Sequence, residues 1–229
     1  MDLRYGSGMG TSVAPDAVEG GGMAGTGPRL TAKGRATRAR IVGTAAALMH
    51  QRGVARTSVE DVLHAAGVSA SQLYHYFRDK QSLVRAVIAH QTEFMLAAQQ
   101  PVLDHLDTLE ALHAWREVVV GLQRQQACEG GCAIGSLASE LAECDNLART
   151  DLAATFATWE GRIRAGLRTM VDTGVLRPDA DPERLALAAL AALQGGLLLT
   201  QIRREITPVE VALDTAIAYI ETFAAGHRT

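Results

Sequence analysis

Apolar positions recur at intervals of three and four in segment after segment of this chain, the spacing of helices with one buried face. Ile41, Ala45, Leu48 and Met49 predict a first helix from about Ala32 to Gln51, closed by Gly53. Thr57-Ser58-Val59-Glu60 has the S/T-x-x-E form of a capping box, so a second helix is expected to open there, with Val62, Leu63 and Ala66 inward. Gly67 supplies a residue that turns left-handed where that helix stops. Ser69-Ala70-Ser71-Gln72 is another capping box, opening a third helix that carries Leu73 and Phe77 inward. Asp79 caps a fourth, with Leu83, Val87, Phe94 and Ala98 on one face and Val84, Ile88 and Met95 beside them; Pro101 marks its end.

Five more segments follow. Leu109, Leu112, Val119 and Leu122 form a stripe with Trp115 near it. Gly130-Gly131 breaks the chain before a short helix marked by Ile134, Leu137 and Leu141. A long helix carries Leu152, Phe156, Trp159, Ile163, Leu167 and Met170, and Gly174 closes it. Asp181-Pro182 is a cap followed by proline at the first helical position. The stretch LALAALAALQGGLLLT is then apolar nearly all round, which predicts a helix buried on several sides. Its apolar run, Leu185 to Leu199, is short for a membrane span and includes Gln194, so no membrane association is expected. Thr207-Pro208-Val209-Glu210 reads as one more capping box, opening a last helix through Val211, Ile217, Ile220 and Phe223. The fold class expected is therefore all-α.

Composition agrees with this pattern, and charge then changes the picture. Of 229 residues 48% are hydrophobic but only 4% aromatic, which favours helices rich in Ala and Leu. The formal net charge of −3 by itself argues against a nucleic-acid binder. Its distribution points the other way. Between Arg29 and Lys80 there are nine basic residues and three acidic ones; from Gln81 onward there are 12 Arg against 19 Asp or Glu. A basic head on an acidic body is the asymmetry expected where one end meets phosphate. The first 27 residues hold eight glycines and no apolar periodicity, so residues 1–30 are read as a disordered tail. They contain no apolar h-region of a signal peptide, and Met23 is a second candidate translation start.

Two capped helices separated by Gly67-Val68 fit a helix-turn-helix, whose second helix enters the major groove. That helix offers Ser71, Gln72, Tyr74, His75 and Tyr76, with Arg78 and Lys80 just beyond. Hydroxyls and an amide read base edges, whereas Tyr, Arg and Lys hold phosphates. The stretches TSVEDV from Thr57, AGVS from Ala66 and LYHYFRDKQSL from Leu73 resemble the DNA-binding domain of the TetR (tetracycline-repressor) family. The resemblance runs from about Ala32 to Leu83. It implies a dimeric, ligand-responsive transcriptional regulator of the cytoplasm, not an enzyme, whose partner is a double-stranded operator. Its DNA contacts would come from Arg38, Thr57, Ser58, Ser69, Ala70, Ser71, Gln72, Tyr74, His75, Tyr76 and Lys80. The family often has a basic and a small residue at Ala70 and Ser71, and commonly His at Tyr76; these departures bear on which operator is read. The domains expected are residues 31–78 for DNA and 79–229 for effector binding and dimerisation.

The segment from Gly130 to Leu141, GGCAIGSLASEL, is similar to a stretch of the LmrA/YxaF-like drug-sensing subgroup. This likeness implies that the short helix, with Cys132, Ile134 and Leu137, lines an effector pocket. Trp115, Phe156 and Trp159 are the scarce aromatics of the body and candidates for the same wall, since pockets are largely apolar. For dimerisation the last two long helices are the candidates: Leu190, Leu193, Leu197 and Ile217 as apolar surface, and Gly196 for close approach. In the family these two helices pair with their copies as a four-helix bundle.

Cys128, Cys132 and Cys144 suggest reduced thiols and no disulfide framework. A zinc site wants about four ligands, and only scattered histidines could add to them, so no metal and no cofactor are expected. A nucleophilic pair of His113 and Cys132 has nothing to orient it. The favoured reading is a repressor released from a palindromic operator by a small apolar molecule. The alternative keeps the same head and makes Cys128, Cys132 and Cys144 a redox or metal sensor.

Overall fold

The computed structural model describes residues 30–226, and all but the last residue of the Gly-rich tail, Met23 included, lies outside them. Among the described residues the chain forms nine α-helices and no strand. They are α1 (Ala32–Arg52), α2 (Val59–Ala66), α3 (Ala70–Tyr76), α4 (Lys80–Ala98), α5 (Leu109–Gln125), α6 (Ala133–Leu141), α7 (Asn146–Asp172), α8 (Pro182–Arg203) and α9 (Thr207–Glu221), with a short 3₁₀ turn at Val102–Asp104.

Local chemistry sets most of the boundaries. The Ser69 hydroxyl accepts from Gln72 N while Gln72 Oε1 accepts from Ser69 N, so the reciprocal box that opens α3 forms as expected. Asp79 caps α4 with Ser82 as its reciprocal partner, and Asp181 caps α8 ahead of Pro182. Gly53 ends α1 and Gly67 ends α2, both at positive φ. Two boxes differ from expectation. At α2 the N-cap is Ser58 with Asp61, one residue later than Thr57 with Glu60, because Thr57 is fully buried and its hydroxyl donates to Gly53 O. At α9 no side chain caps the start. Thr207 is already helical, and Glu210 is drawn to Arg124 at 2.7 Å.

Packing divides the interior into two cores. One joins Ile41, Val42, Val62, Leu73 and Phe77 of the first three helices to Leu83, Val84, Val87 and Ile88 of α4, and continues into Ile134, Leu137 and Leu141 of α6 and Leu152 of α7. The other lies among α5, α7, α8 and α9. The head thus shares its core with the body through α4, α6 and α7.

Helix α8 corrects two expectations. It is 22 residues long, so by length and composition alone it could cross a membrane, and the shortness of its apolar run does not exclude that. Nor is it buried on all sides. Leu185, Ala189, Leu190, Leu193, Gly196 and Leu197 face the chain's own core, while Leu187, Leu198, Leu199 and Ile202 are exposed. The residues expected to form the dimer contact, Leu190, Leu193, Gly196 and Leu197 of α8 and Ile217 of α9, are therefore interior residues of one chain. The close approach allowed by Gly196 is to α9 of the same chain: a Cβ there would lie 2.9 Å from both Ala212 Cβ and Val209 Cα.

Candidate DNA-reading face and interior cavity

The helix-turn-helix owes its exposed face to the helical period. With Leu73 and Phe77 inward, Ala70, Ser71, Gln72, Tyr74 and His75 of α3 are all exposed, beside Ser58 and Ser69 at the caps. Arg38 of α1 is exposed too, its guanidinium 5.3 Å from the centre of the Phe77 ring. Tyr76 is half-buried, its hydroxyl beside Gly34 on the first turn of α1.

Three of the expected DNA residues stand differently. Thr57 is interior and contributes structure. Lys80 Nζ donates to Val54 O at 2.8 Å, so the ammonium is tied to the turn between α1 and α2, and Arg78 is the exposed cation here. Gln72 is exposed, but its Oε1 is taken by the capping box, so only its amide nitrogen is spare for a base. The carboxylates at these caps are held below the usual carboxylate range: Asp61 chiefly by the Ser58 backbone N–H, and Asp79 chiefly by that of Ser82.

Behind the head, α4, α5, α6, α7 and α8, with His50 of α1, line a cavity of about 370 Å³ that opens to solvent past the exposed Phe94, Gln125 and Gln126. Its apolar wall is Met95, Val119, Leu122, Ile134, Trp159, Leu193 and Leu197; its polar lining is His50, Gln91, Gln99, Gln123, Gln125 and Gln126. Among the described residues no Asp, Glu, Lys or Arg lines it. Gln123 Oε1 and Trp159 Nε1 are buried without a hydrogen-bond partner, and each such group costs about 1–3 kcal/mol.

Cys132, Ile134 and Trp159 of the expected pocket residues meet at this cavity. The other three do not. Trp115 is core, its indole donating to Gln99 Oε1 at 2.8 Å. Leu137 lines a smaller neighbouring cavity of about 180 Å³ between α6 and α1, and Phe156 a shallow one beside Gln194 and Leu198. Burial pushes the Cys132 thiol up, and its sulfur accepts from Gly135 N as the cap of α6. His113 pairs with Glu221 of α9. Among the described residues no three His, Cys, Asp or Glu side chains come together as a metal site.

Comparison with known proteins converges on one family. Residues 41–87 match the family model "Bacterial regulatory proteins, tetR family", and residues 108–216 match "Tetracyclin repressor-like, C-terminal domain". Together these cover more than half of the chain. It belongs to the TetR family. The transcriptional regulator AcuR of Cereibacter sphaeroides is 28% identical over 161 residues, 69% of this chain and 74% of that protein. The HTH-type transcriptional repressor DhaR of a Mycobacterium sp. is 26% identical over 161 residues, 70% of this chain and 80% of its own length. A TetR transcriptional regulator from Chloroflexus aurantiacus superposes with a TM-score of 0.74 at 28% identity, covering 85% of this chain and 98% of that one. The protein is thus a transcriptional regulator of TetR type.

Sequence reasoning missed Gln91 and Gln123 in this TetR-family cavity. For Gln123 there was a signal: it follows Val119 by four, a polar residue in an apolar stripe. It missed Leu193 and Leu197 in the cavity because they were assigned to the dimer contact, and it missed Glu140 altogether.

Proposed function

We propose that this protein is a homodimeric repressor that leaves a near-palindromic DNA operator when a small uncharged molecule enters the interior cavity. The observation that carries the reading is the double duty of α4. Leu83, Val84, Val87 and Ile88 anchor its first half in the core of the head, while Gln91, Phe94, Met95 and Ala98 of its second half line the cavity. A ligand that fits better when the two heads are spread favours that state by its differential affinity and no more. Operator affinity then falls, and by linkage the operator weakens ligand binding by the same factor. The similarity to the repressor DhaR supports the sign of regulation.

The lining narrows the ligand. With no carboxylate, guanidinium or ammonium among the described lining residues, His50 is the one basic partner that the cavity offers a charged molecule, which favours an uncharged ligand. The partnerless Gln123 Oε1 and Trp159 Nε1 favour a ligand with at least one hydrogen-bonding group over a bare hydrocarbon. A thiolate sensor at Cys132 is disfavoured, because burial pushes that thiol up and suppresses the reactive form.

On DNA, Gln72 would donate through its amide nitrogen to an acceptor on a base edge while Tyr74, Arg78 and Arg38 hold phosphates. Half-sites of the operator should lie about one helical turn, roughly 34–36 Å, or a multiple of it apart. The test selects bound duplexes from a random pool, footprints the winners, and screens uncharged and charged aromatic compounds for release. Paired half-sites and release by uncharged compounds are expected. A single half-site bound by a monomer, or release only by oxidant with Cys132→Ser abolishing it, would overturn the reading.

A further inference from the structure

The helix α6 touches the cavity at one end and the DNA-binding head at the other. Ala133 and Ile134, its first residues, are in the cavity wall. Glu140, near its last turn, reaches into the head: Oε2 accepts from Val54 N at 2.8 Å and Oε1 from Ala55 N at 2.6 Å. Val54 and Ala55 form the turn between α1 and α2. Glycine at position 53 lets the carboxylate come close, since a Cβ there would lie 3.2 Å from Glu140 Oε2. Lys80, the first residue of α4, holds the carbonyl of Val54 in the same turn. Thr57, two residues beyond Ala55, is buried and bonded back to Gly53 O, which makes the turn stiff up to the cap of α2.

We propose that Glu140 is the residue through which α6 positions the DNA-binding head, so that a displacement of α6 at the cavity reaches α2 and α3 through the turn at Val54 and Ala55. This rests on the reading of the cavity as the control site. The physical reason is geometric. A carboxylate held by two backbone N–H groups at 2.6 and 2.8 Å loses both bonds if it moves an ångström or so, because hydrogen bonds fail steeply with distance and angle. The turn must follow the helix or be released from it. Lys80 makes the same turn answer to α4, so the two helices that line the cavity and reach the head converge on one peptide segment.

The test needs no known ligand. Ala133 lines both the large cavity and the small one beside α1, so Ala133→Leu pushes α6 from the cavity side. The full chain, Ala133→Leu, Glu140→Ala and the double variant are titrated with a duplex selected from a random pool. Native-state hydrogen exchange is followed at Val54 and Ala55, with Glu140→Gln as the milder variant that keeps an acceptor oxygen. In Glu140→Ala, exchange at these two amides should rise on the order of tenfold or more, with helix content unchanged. Ala133→Leu should weaken the duplex on the order of tenfold when Glu140 is present, and by less than about twofold when it is absent. If it weakens both backgrounds equally, cavity control stands and the role of Glu140 is overturned. If it changes neither, cavity control itself is wrong and the inference falls with it. Unchanged exchange at Val54 and Ala55 in Glu140→Ala also overturns it.

Discussion

The exposed side of α8 and α9 gives the most quantitative expectation. Leu187, Ala191, Leu198 and Ile202 follow one another at helical spacing along the outer face of α8, and Val211 and Tyr219 are exposed on α9. Leu198 is 56% and Ile202 is 67% exposed, so more than half of each side chain remains to be covered by a partner. Complete burial of such a side chain is worth about 1.5–3 kcal/mol, which leaves about 1–2 kcal/mol for each in a dimer. In a two-fold interface every substitution acts twice. Leu198→Glu with Ile202→Glu should therefore cost about 4–8 kcal/mol of association, before any penalty for the new charges. At about 1.4 kcal/mol per decade this is roughly three to six decades in Kd. Sedimentation equilibrium at micromolar protein should show the variant as a monomer with unchanged helix content. A dimer of unaltered Kd in the double variant would refute the assignment of this face.

Other expectations are as specific. Gly196→Ala should destabilise the fold by about 1–3 kcal/mol in denaturant unfolding, since its Cβ meets the backbone of α9, whereas Gly195→Ala, with nothing within 4 Å, should not; equal effects would contradict the packing described. Gln72→Ala removes the amide donor without adding charge, so it should cost about 1–3 kcal/mol on the selected operator, with helix content checking that the head still folds without the α3 box. The same loss on random DNA would remove Gln72 from base reading. The depressed carboxyls of Asp61, Asp79 and Asp145 stabilise the fold above the usual carboxylate pKa, and that contribution is lost as pH falls below about 4. Asp79→Asn and Asp145→Asn should make urea stability less steep in pH between 5 and 3, and an unaltered slope would count against these caps.

What could be read from the residues in advance is what is decided within a few positions of the chain. Ser69 with Gln72, Asp79 with Ser82, Asp181 with Pro182 and the glycines at 53 and 67 each carry their own capping chemistry, and each ends or begins a helix as expected. The box at α2 shows the limit of that logic. Two hydroxyls and two acids stand side by side, so Thr57 with Glu60 and Ser58 with Asp61 are equally good on paper. Burial of Thr57 and its bond to Gly53 choose between them. The orientation of α8 was not legible because Leu and Ala surround it and leave no polar side to point outward. Its inward face is selected by α7 and α9, which lie far from one another in sequence. For the same reason, the share of α8 in the cavity wall and the reach of Glu140 to a turn 86 residues away had no local signal.

The order of the helices explains why a regulator can be built from such ordinary parts. Two of the three helices of the head are short, of 8 and 7 residues, and the core of the head is completed by α4, α6 and α7. The head is therefore stable in the orientation that these body helices allow. Interfaces packed to interior density shift between discrete arrangements more readily than they deform continuously. The cavity lies against α4 and α6, the two helices that also contact the head, which is where a bound ligand would bear on its orientation. On the proposed reading, the exposed outer face of α8 and α9 pairs two subunits and so couples their heads. In that reading ligand, operator and partner subunit would address separate surfaces of one helical framework, linked through the buried contacts of the helices between them.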